Sequence, residues 1–204
     1  MWIDIDQNTD EWLDLRAGKV TGSAVACVMA NYGKAFGDPA KRLAVNIAIE
    51  QITGRAIRSN YTNADMERGH EMEPFARMMY EDETFNTVTN GGFFDNGFTG
   101  CSPDGLCSDD LVIEIKSVIP SVQYKRVKYG KYDSAYHWQL CFNLKETGRT
   151  QIDYVSYCAE FPTGKQLFID TLRADDLQEE FKKIDLRLAE FKELVDQIKQ
   201  DIKQ

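Results

Sequence analysis

Toward the C-terminus, Leu177, Phe181, Ile184, Leu188, Phe191, Val195 and Ile198 step alternately by four and three residues. That spacing draws one apolar stripe along a long helix within residues 174–204. The stripe is expected to lie on its own domain, and a coiled-coil-like contact between subunits is the alternative. At the other end, Thr9-Asp10-Glu11-Trp12-Leu13 opens a helix, Gly18 turns the chain, and a second helix is expected from Thr21 to Met29. Residues 39–52 read as an amphipathic helix. A further helical stretch over 62–82 contains Pro74, which either kinks it or opens a new helix as its first residue. The period then changes. Thr87-Val88-Thr89, Gly92-Phe93-Phe94, Phe98-Thr99-Gly100-Cys101 and Leu111-Val112-Ile113-Glu114-Ile115 are β-rich and separated by Gly, Asn and Asp turns. A helix from Ser134 to Lys145 and a strand from Gln151 to Cys158 follow. The order α-β-β-β-α-β predicts an α/β fold, a mixed sheet flanked by helices.

Composition adds little until the charges are placed along the chain. The formal net charge is −9. Residues 1–15 hold five acidic and no basic side chains, whereas residues 115–150 hold seven basic against two acidic ones, a local balance of +5. A basic middle is compatible with a phosphate-binding channel in an otherwise acidic protein. Tyr124, Tyr129, Tyr132 and Tyr136 interleave there with Lys125, Arg126, Lys128 and Lys131, a mixture suited to tracking a DNA backbone. No apolar run reaches membrane-spanning length, and the start of the chain lacks the features of a signal peptide. Five cysteines without a CxxC pair point to reduced thiols in a cytoplasm.

The candidate chemistry sits in Cys101-Ser102-Pro103-Asp104-Gly105-Leu106-Cys107-Ser108-Asp109-Asp110, followed by Leu111-Val112-Ile113-Glu114-Ile115-Lys116. A turn at Ser108-Asp109-Asp110 sets Cys107 opposite Leu111 and, counting back, Asp104 opposite Glu114. Facing Cβ atoms in an antiparallel pair are about 5 Å apart. Two carboxylates that close repel unless a cation neutralises them, and magnesium suits such an oxygen site. Lys116 shares the face of Glu114, while Ile113 and Ile115 point the other way. The ammonium could orient or deprotonate an attacking water, or balance charge in the transition state. Glu-x-Lys alone also fits a solvent-facing hairpin. The apolar run around it argues for burial, where charges need a reason.

Pro103-Asp104 followed by Glu114-x-Lys116 resembles the PD-(D/E)xK nuclease motif. The wording from Cys101 to Asp109 is more specific and resembles the lambda-exonuclease and YqaJ-like viral recombination (alkaline) exonuclease family, with matches in the same order from Trp12 to Tyr157. The resemblance implies one nuclease domain over 1–204: an N-terminal helical part (1–60), a catalytic core (61–160) and the C-terminal helix (174–204). It implies that Arg16 and Ser23, in Trp12-x-x-Leu15-Arg16-x-Gly18 and Thr21-x-Ser23, grip a 5′-terminal phosphate. Glu73, in Gly69-x-x-x-Glu73, and Ile115 join Asp104 and Glu114 as metal-site residues, and Gln139 joins Lys116 in the catalytic set.

The activity so implied is magnesium-dependent 5′→3′ digestion of one strand of duplex DNA to mononucleotides, leaving 3′ tails for recombination. Manganese would substitute for magnesium, with two ions in the active complex. A homotrimeric ring, a single-strand annealing protein as partner and a cytoplasmic setting complete the implication. Two other readings compete. An endonuclease on the same fold would have no use for an end-phosphate pocket. A non-catalytic DNA-binding scaffold would gain nothing from two carboxylates facing a polyanion.

Overall fold

The computed structural model describes residues 1–58 and 64–204. In chain order the elements are β1 (Trp2–Ile3), α1 (Asp10–Arg16), β2 (Val20–Thr21), α2 (Val25–Met29), α3 (Asp38–Thr53) and α4 (Ala64–Thr84). Four strands follow, β3 (Phe93–Asp95), β4 (Thr99–Cys101), β5 (Gly105–Cys107) and β6 (Leu111–Ser117). Then come α5 (Pro120–Tyr129), α6 (His137–Thr147), β7 (Gln151–Tyr157), β8 (Leu167–Arg173) and α7 (Gln178–Lys203), with 3-10 turns at Ser134–Tyr136 and Ala174–Leu177 leading into α6 and α7. The strands form two sheets, ordered β1-β3-β4-β2 and β5-β6-β7-β8. In the second, β6 and β7 run parallel and the outer pairs antiparallel, the mixed sheet with flanking helices that the pattern predicts.

Local chemistry accounts for the element ends. Thr9 caps α1 by accepting the Trp12 N–H, with Asp10 and Glu11 in the first turn. α5 begins on Pro120 and ends at Gly130 in the left-handed region. Three expectations change. Val20 and Thr21 do not open a helix; they pair in parallel with Thr99 and Gly100, and α2 begins only at Val25. Pro74 lies inside a continuous α4 rather than opening a new helix. Thr87-Val88-Thr89 contributes only a bridge from Thr89 to Leu106. The expected helix start at residue 62 and the expected boundary between 60 and 61 lie outside the described residues. β1, β8 and α5 were not anticipated.

The sheet that carries β6 is covered on both faces. One cluster gathers Val112, Ile152 and Tyr154 with Leu140, Leu144, Ile184 and Phe191 from α6 and α7. The other gathers Ile113, Ile115, Val155 and Tyr157 with Ala76 and Tyr80 from α4. Period-two alternation along β6 therefore sends Val112 and Glu114 toward α6, and Ile113 and Ile115 toward α4. Tyr80 donates to Asp153 Oδ2 (2.6 Å) and Thr171 donates to Oδ1 (2.6 Å), pinning α4 to β7 and β8. All five cysteines are free. Among the described residues no helix is long and apolar enough to cross a membrane.

The C-terminal stripe packs on its own chain. Ile184, Leu188, Phe191 and Val195 are buried, and Phe36 meets Phe191 edge-on at 5.4 Å. Arg187 is also buried in α7, donating to the Val28 carbonyl (3.0 Å) under the Phe36 ring. Phe191→Ala should cost about 3–5 kcal/mol by opening a cavity there. Leu186→Ala, on the exposed side of α7, should stay within about 0.5 kcal/mol. Urea unfolding of the two variants checks the contrast.

Candidate active site

The hairpin register is the expected one: Cys107 faces Leu111, Leu106 faces Val112 and Gly105 faces Ile113. Beyond Gly105 the ladder opens. The Asp104 N–H donates to the Ile113 carbonyl (3.1 Å), and the Asp104 carboxylate takes the Ile115 N–H (2.6 Å). Asp104 thus replaces a missing backbone partner and is held beside the end of β6.

Glu114 is 2% exposed and gripped on both oxygens. Lys116 Nζ (2.5 Å) and the Gln139 amide donate to Oε1, and Asn143 Nδ2 donates to Oε2 (2.8 Å). Gln139 and Asn143 stand one turn apart on α6, so one helix face supplies both amides. Burial alone would pull the Lys116 ammonium down, but Glu114 and Asp104 outweigh it and push it above its ordinary value. The same ammonium lies 5.2 Å from the Tyr136 ring centre. The Asp104 carboxyl is pushed well above the usual carboxylate range by burial and by Glu114, with a smaller push from Glu73, against the pull of Lys116.

Glu73 accepts from Arg77 at 3.3 Å within α4, and Arg77 also donates to the Asp104 carbonyl (2.5 Å). α4 is therefore joined to the hairpin through Arg77. Pro74 leaves Glu73 near enough to act on the charge of Asp104. Among the described residues no three His, Cys, Asp or Glu side chains converge closely enough to hold a metal. The oxygen set here is the Asp104–Glu114 pair, with Glu73 further out. Two carboxylates beside one ammonium leave an excess negative charge, and a hard divalent cation fits that donor chemistry.

A second group forms around α1. The Arg16 guanidinium stacks on Trp12, 3.9 Å from the ring centre, and its NH2 reaches Thr21 Oγ1 at 3.4 Å. Thr21 Oγ1 is 3.4 Å from Ser23 Oγ. The structure thus brings Arg16 and Ser23 together through Thr21. Burial pulls Arg16 down to about 10, which leaves it charged at neutral pH. Trp12 Nε1 donates to Ser102 Oγ (2.8 Å), two residues before Asp104.

The basic stretch is partly α5. Lys125, Lys128 and Lys131 are exposed, and Lys128 lies over the rings of Tyr124 and Tyr129. Arg126 departs from the expected backbone-tracking set. It is turned inward, donating to the Lys131 carbonyl (3.2 Å) and pairing with Asp133 (3.4 Å). His137 bonds Tyr132 through Nδ1 (2.6 Å). Sequence reasoning assigned no role to Asn143, Arg77 or Ser102. Asn143 was within reach, because it falls one helical turn after Gln139.

A hairpin presenting Asp104 and Glu114-x-Lys116 on a helix-flanked mixed sheet defines a deoxyribonuclease of the PD-(D/E)xK class. Within that class the chain belongs to the YqaJ-like viral recombinase domain family, whose sequence model matches residues 11–150. It is similar to the solved alkaline exonuclease LHK-Exo from Laribacter hongkongensis, at 33% identity and a TM-score of 0.79 over 95% of this chain and 98% of that one. The structure of LHK-Exo in complex with dAMP matches at 33% identity and a TM-score of 0.80, with the same coverage. A phage-related exonuclease from Haemophilus somnus 129PT shares the fold at 17% identity and a TM-score of 0.67, over 90% of this chain and 96% of that one. Among curated proteins none matches.

The charge imbalance at Asp104 sets a pH dependence. A carboxyl whose folded pKa is raised supports the fold below the unfolded value, about 4. It withdraws that support as the pH climbs through the folded value. Asp104→Asn keeps an oxygen for the Ile115 N–H and removes the charge. In EDTA, the thermal midpoint of the wild type should fall relative to the variant as the pH rises above about 4. An added divalent cation should raise the wild type and not the variant. Parallel pH curves with equal cation responses would contradict this electrostatic picture.

Proposed function

We propose that the chain, acting as one nuclease domain over residues 1–204, is a magnesium-dependent 5′→3′ exonuclease. It digests one strand of duplex DNA from a 5′-phosphorylated end to mononucleotides and leaves a 3′ single-stranded tail. The observation that carries this reading is the place of Trp12, which stacks on Arg16 and donates to the Ser102 hydroxyl beside Asp104. One side chain thereby ties a cationic, hydroxyl-rich pocket to the carboxylate pair. An arginine fork with hydroxyls suits a terminal phosphate monoester, which carries more charge than an internal diester. Similarity to LHK-Exo, named an alkaline exonuclease and solved with dAMP, supports the same reading.

In this reading Asp104 and Glu114, with Ile115 and the more distant Glu73, hold magnesium, or manganese in its place, with two ions in the active complex. Bound there, the cation supplies Lewis-acid polarisation of the scissile phosphate and of the attacking water. Lys116, which lies against Glu114, orients or deprotonates that water, or balances charge on the phosphoryl oxygens. Gln139 keeps Glu114 from turning. Arg16 and Ser23 hold the 5′ end, and exposed Lys125, Lys128 and Lys131 follow the backbone. A homotrimeric ring, an annealing-protein partner and a cytoplasmic setting belong to the proposal through the family.

Linear duplex with a 5′ phosphate, linear duplex with a 5′ hydroxyl and closed circular DNA, each in magnesium and in EDTA, test the reading together. Wild type should prefer phosphoryl ends, spare circles and stop in EDTA. Asp104→Ala and Glu114→Ala should abolish cleavage while retaining DNA binding. Lys116→Ala should lower kcat far more than it raises KM. Arg16→Ala should erase the preference for phosphoryl ends. Cutting of closed circles, or equal rates on both linear ends, would turn the assignment to an endonuclease.

A further inference from the structure

Asn143 is 1% exposed and touches both halves of the site. Its Nδ2 donates to Glu114 Oε2 at 2.8 Å. A carboxylate can only accept, so this contact fixes which end of the amide is nitrogen and turns Oδ1 the other way. That Oδ1 is buried and has no hydrogen-bond partner among the described residues. An orphaned buried acceptor in a functional site calls for a reason. It faces Gly22, where an added Cβ would lie 2.1 Å from Oδ1 and 3.1 Å from Cγ. Only a bare backbone leaves the amide its place.

Gly22 sits between Thr21 and Ser23, the two hydroxyls gathered with Arg16. The Asn143 backbone carbonyl meanwhile accepts from Cys101 Sγ at 3.9 Å, next to Ser102. The amide is thus wedged, one end hydrogen-bonded to Glu114 and the other in contact with the loop of the proposed phosphate pocket. No slack separates the loop from the amide, so a shift of the loop moves it. The unpaired Oδ1 favours such a shift, because a loop N–H brought to it makes a hydrogen bond that the free arrangement lacks.

We infer that Asn143 is a positioning residue that couples engagement of the 5′ phosphate by the Thr21–Ser23 loop to the placement of Glu114. The terminal phosphate then raises the rate of the chemical step as well as binding the end. This inference rests on the reading of Arg16 and Ser23 as the end-phosphate pocket.

Steady-state kinetics on 5′-phosphoryl and 5′-hydroxyl duplexes at saturating magnesium test it, using wild type, Asn143→Ala, Gly22→Ala, Ser23→Ala and the Asn143→Ala/Ser23→Ala pair. Asn143→Ala should lower kcat on phosphoryl ends by about tenfold or more, leave KM little changed, and lower kcat on hydroxyl ends much less. The phosphoryl-to-hydroxyl kcat ratio should then approach one. Gly22→Ala, which displaces the amide without deleting it, should collapse the same ratio and serves if Asn143→Ala does not fold. The double variant should be no worse than the poorer single one. Equal losses of kcat on both end types, a wild-type ratio in Gly22→Ala, or multiplicative losses in the double variant would each overturn the inference. A wild type with no preference for phosphoryl ends would instead remove the end-pocket reading itself, and the coupling with it.

Discussion

A carboxylate that is almost wholly out of water sets the terms for the rest of this structure. Glu114 lies in the middle of β6, between Ile113 and Ile115, on a sheet covered on both faces. An ion in that position is costly unless every oxygen finds a donor. Lys116 comes from the same strand, two residues on, and Gln139 and Asn143 come from the helix laid across it. The need to satisfy Glu114 thereby fixes how α6 sits on the sheet. α6 in turn forms one wall of the main core with α7.

Asp104 is held differently. It leaves the β-ladder and uses its side chain to replace a backbone acceptor for Ile115. Its neighbours are Glu114 and Glu73, and Arg77 spans Glu73 and the Asp104 carbonyl. The result is a group at the site whose charge is only partly compensated, next to one that is fully compensated. That asymmetry suits the proposed cation site. One carboxylate is rigid, and the other is left with unmet demand for positive charge.

The parts of the fold legible in the sequence were those governed by short-range periodicity. Counting across the Ser108–Asp110 turn put Asp104 near Glu114, because an antiparallel hairpin leaves no freedom once its loop is placed. The α7 stripe was equally plain. The short β1 and β2 were not, since two-residue strands exist only through their partners in β3 and β4. β8 carries Asp170 and Thr171 within its run and pairs at the sheet edge, so its alternation is weak. Arg126 was counted with the basic residues because formal charge does not say which way a side chain turns. Asn143 lies one turn from Gln139, yet its role depends on a strand distant in sequence and on a glycine in another loop.

The contact between Gly22 and Asn143 has a meaning for sequence variation. The space at position 22 is already filled by the amide oxygen of residue 143, so the two positions are linked by size. A lineage that gains a side chain at 22 must shrink residue 143 or swing it away, and must then find another donor for Glu114. Covariation between these positions, 121 residues apart in the chain, would record a steric exclusion. It would appear even where each residue taken singly varies.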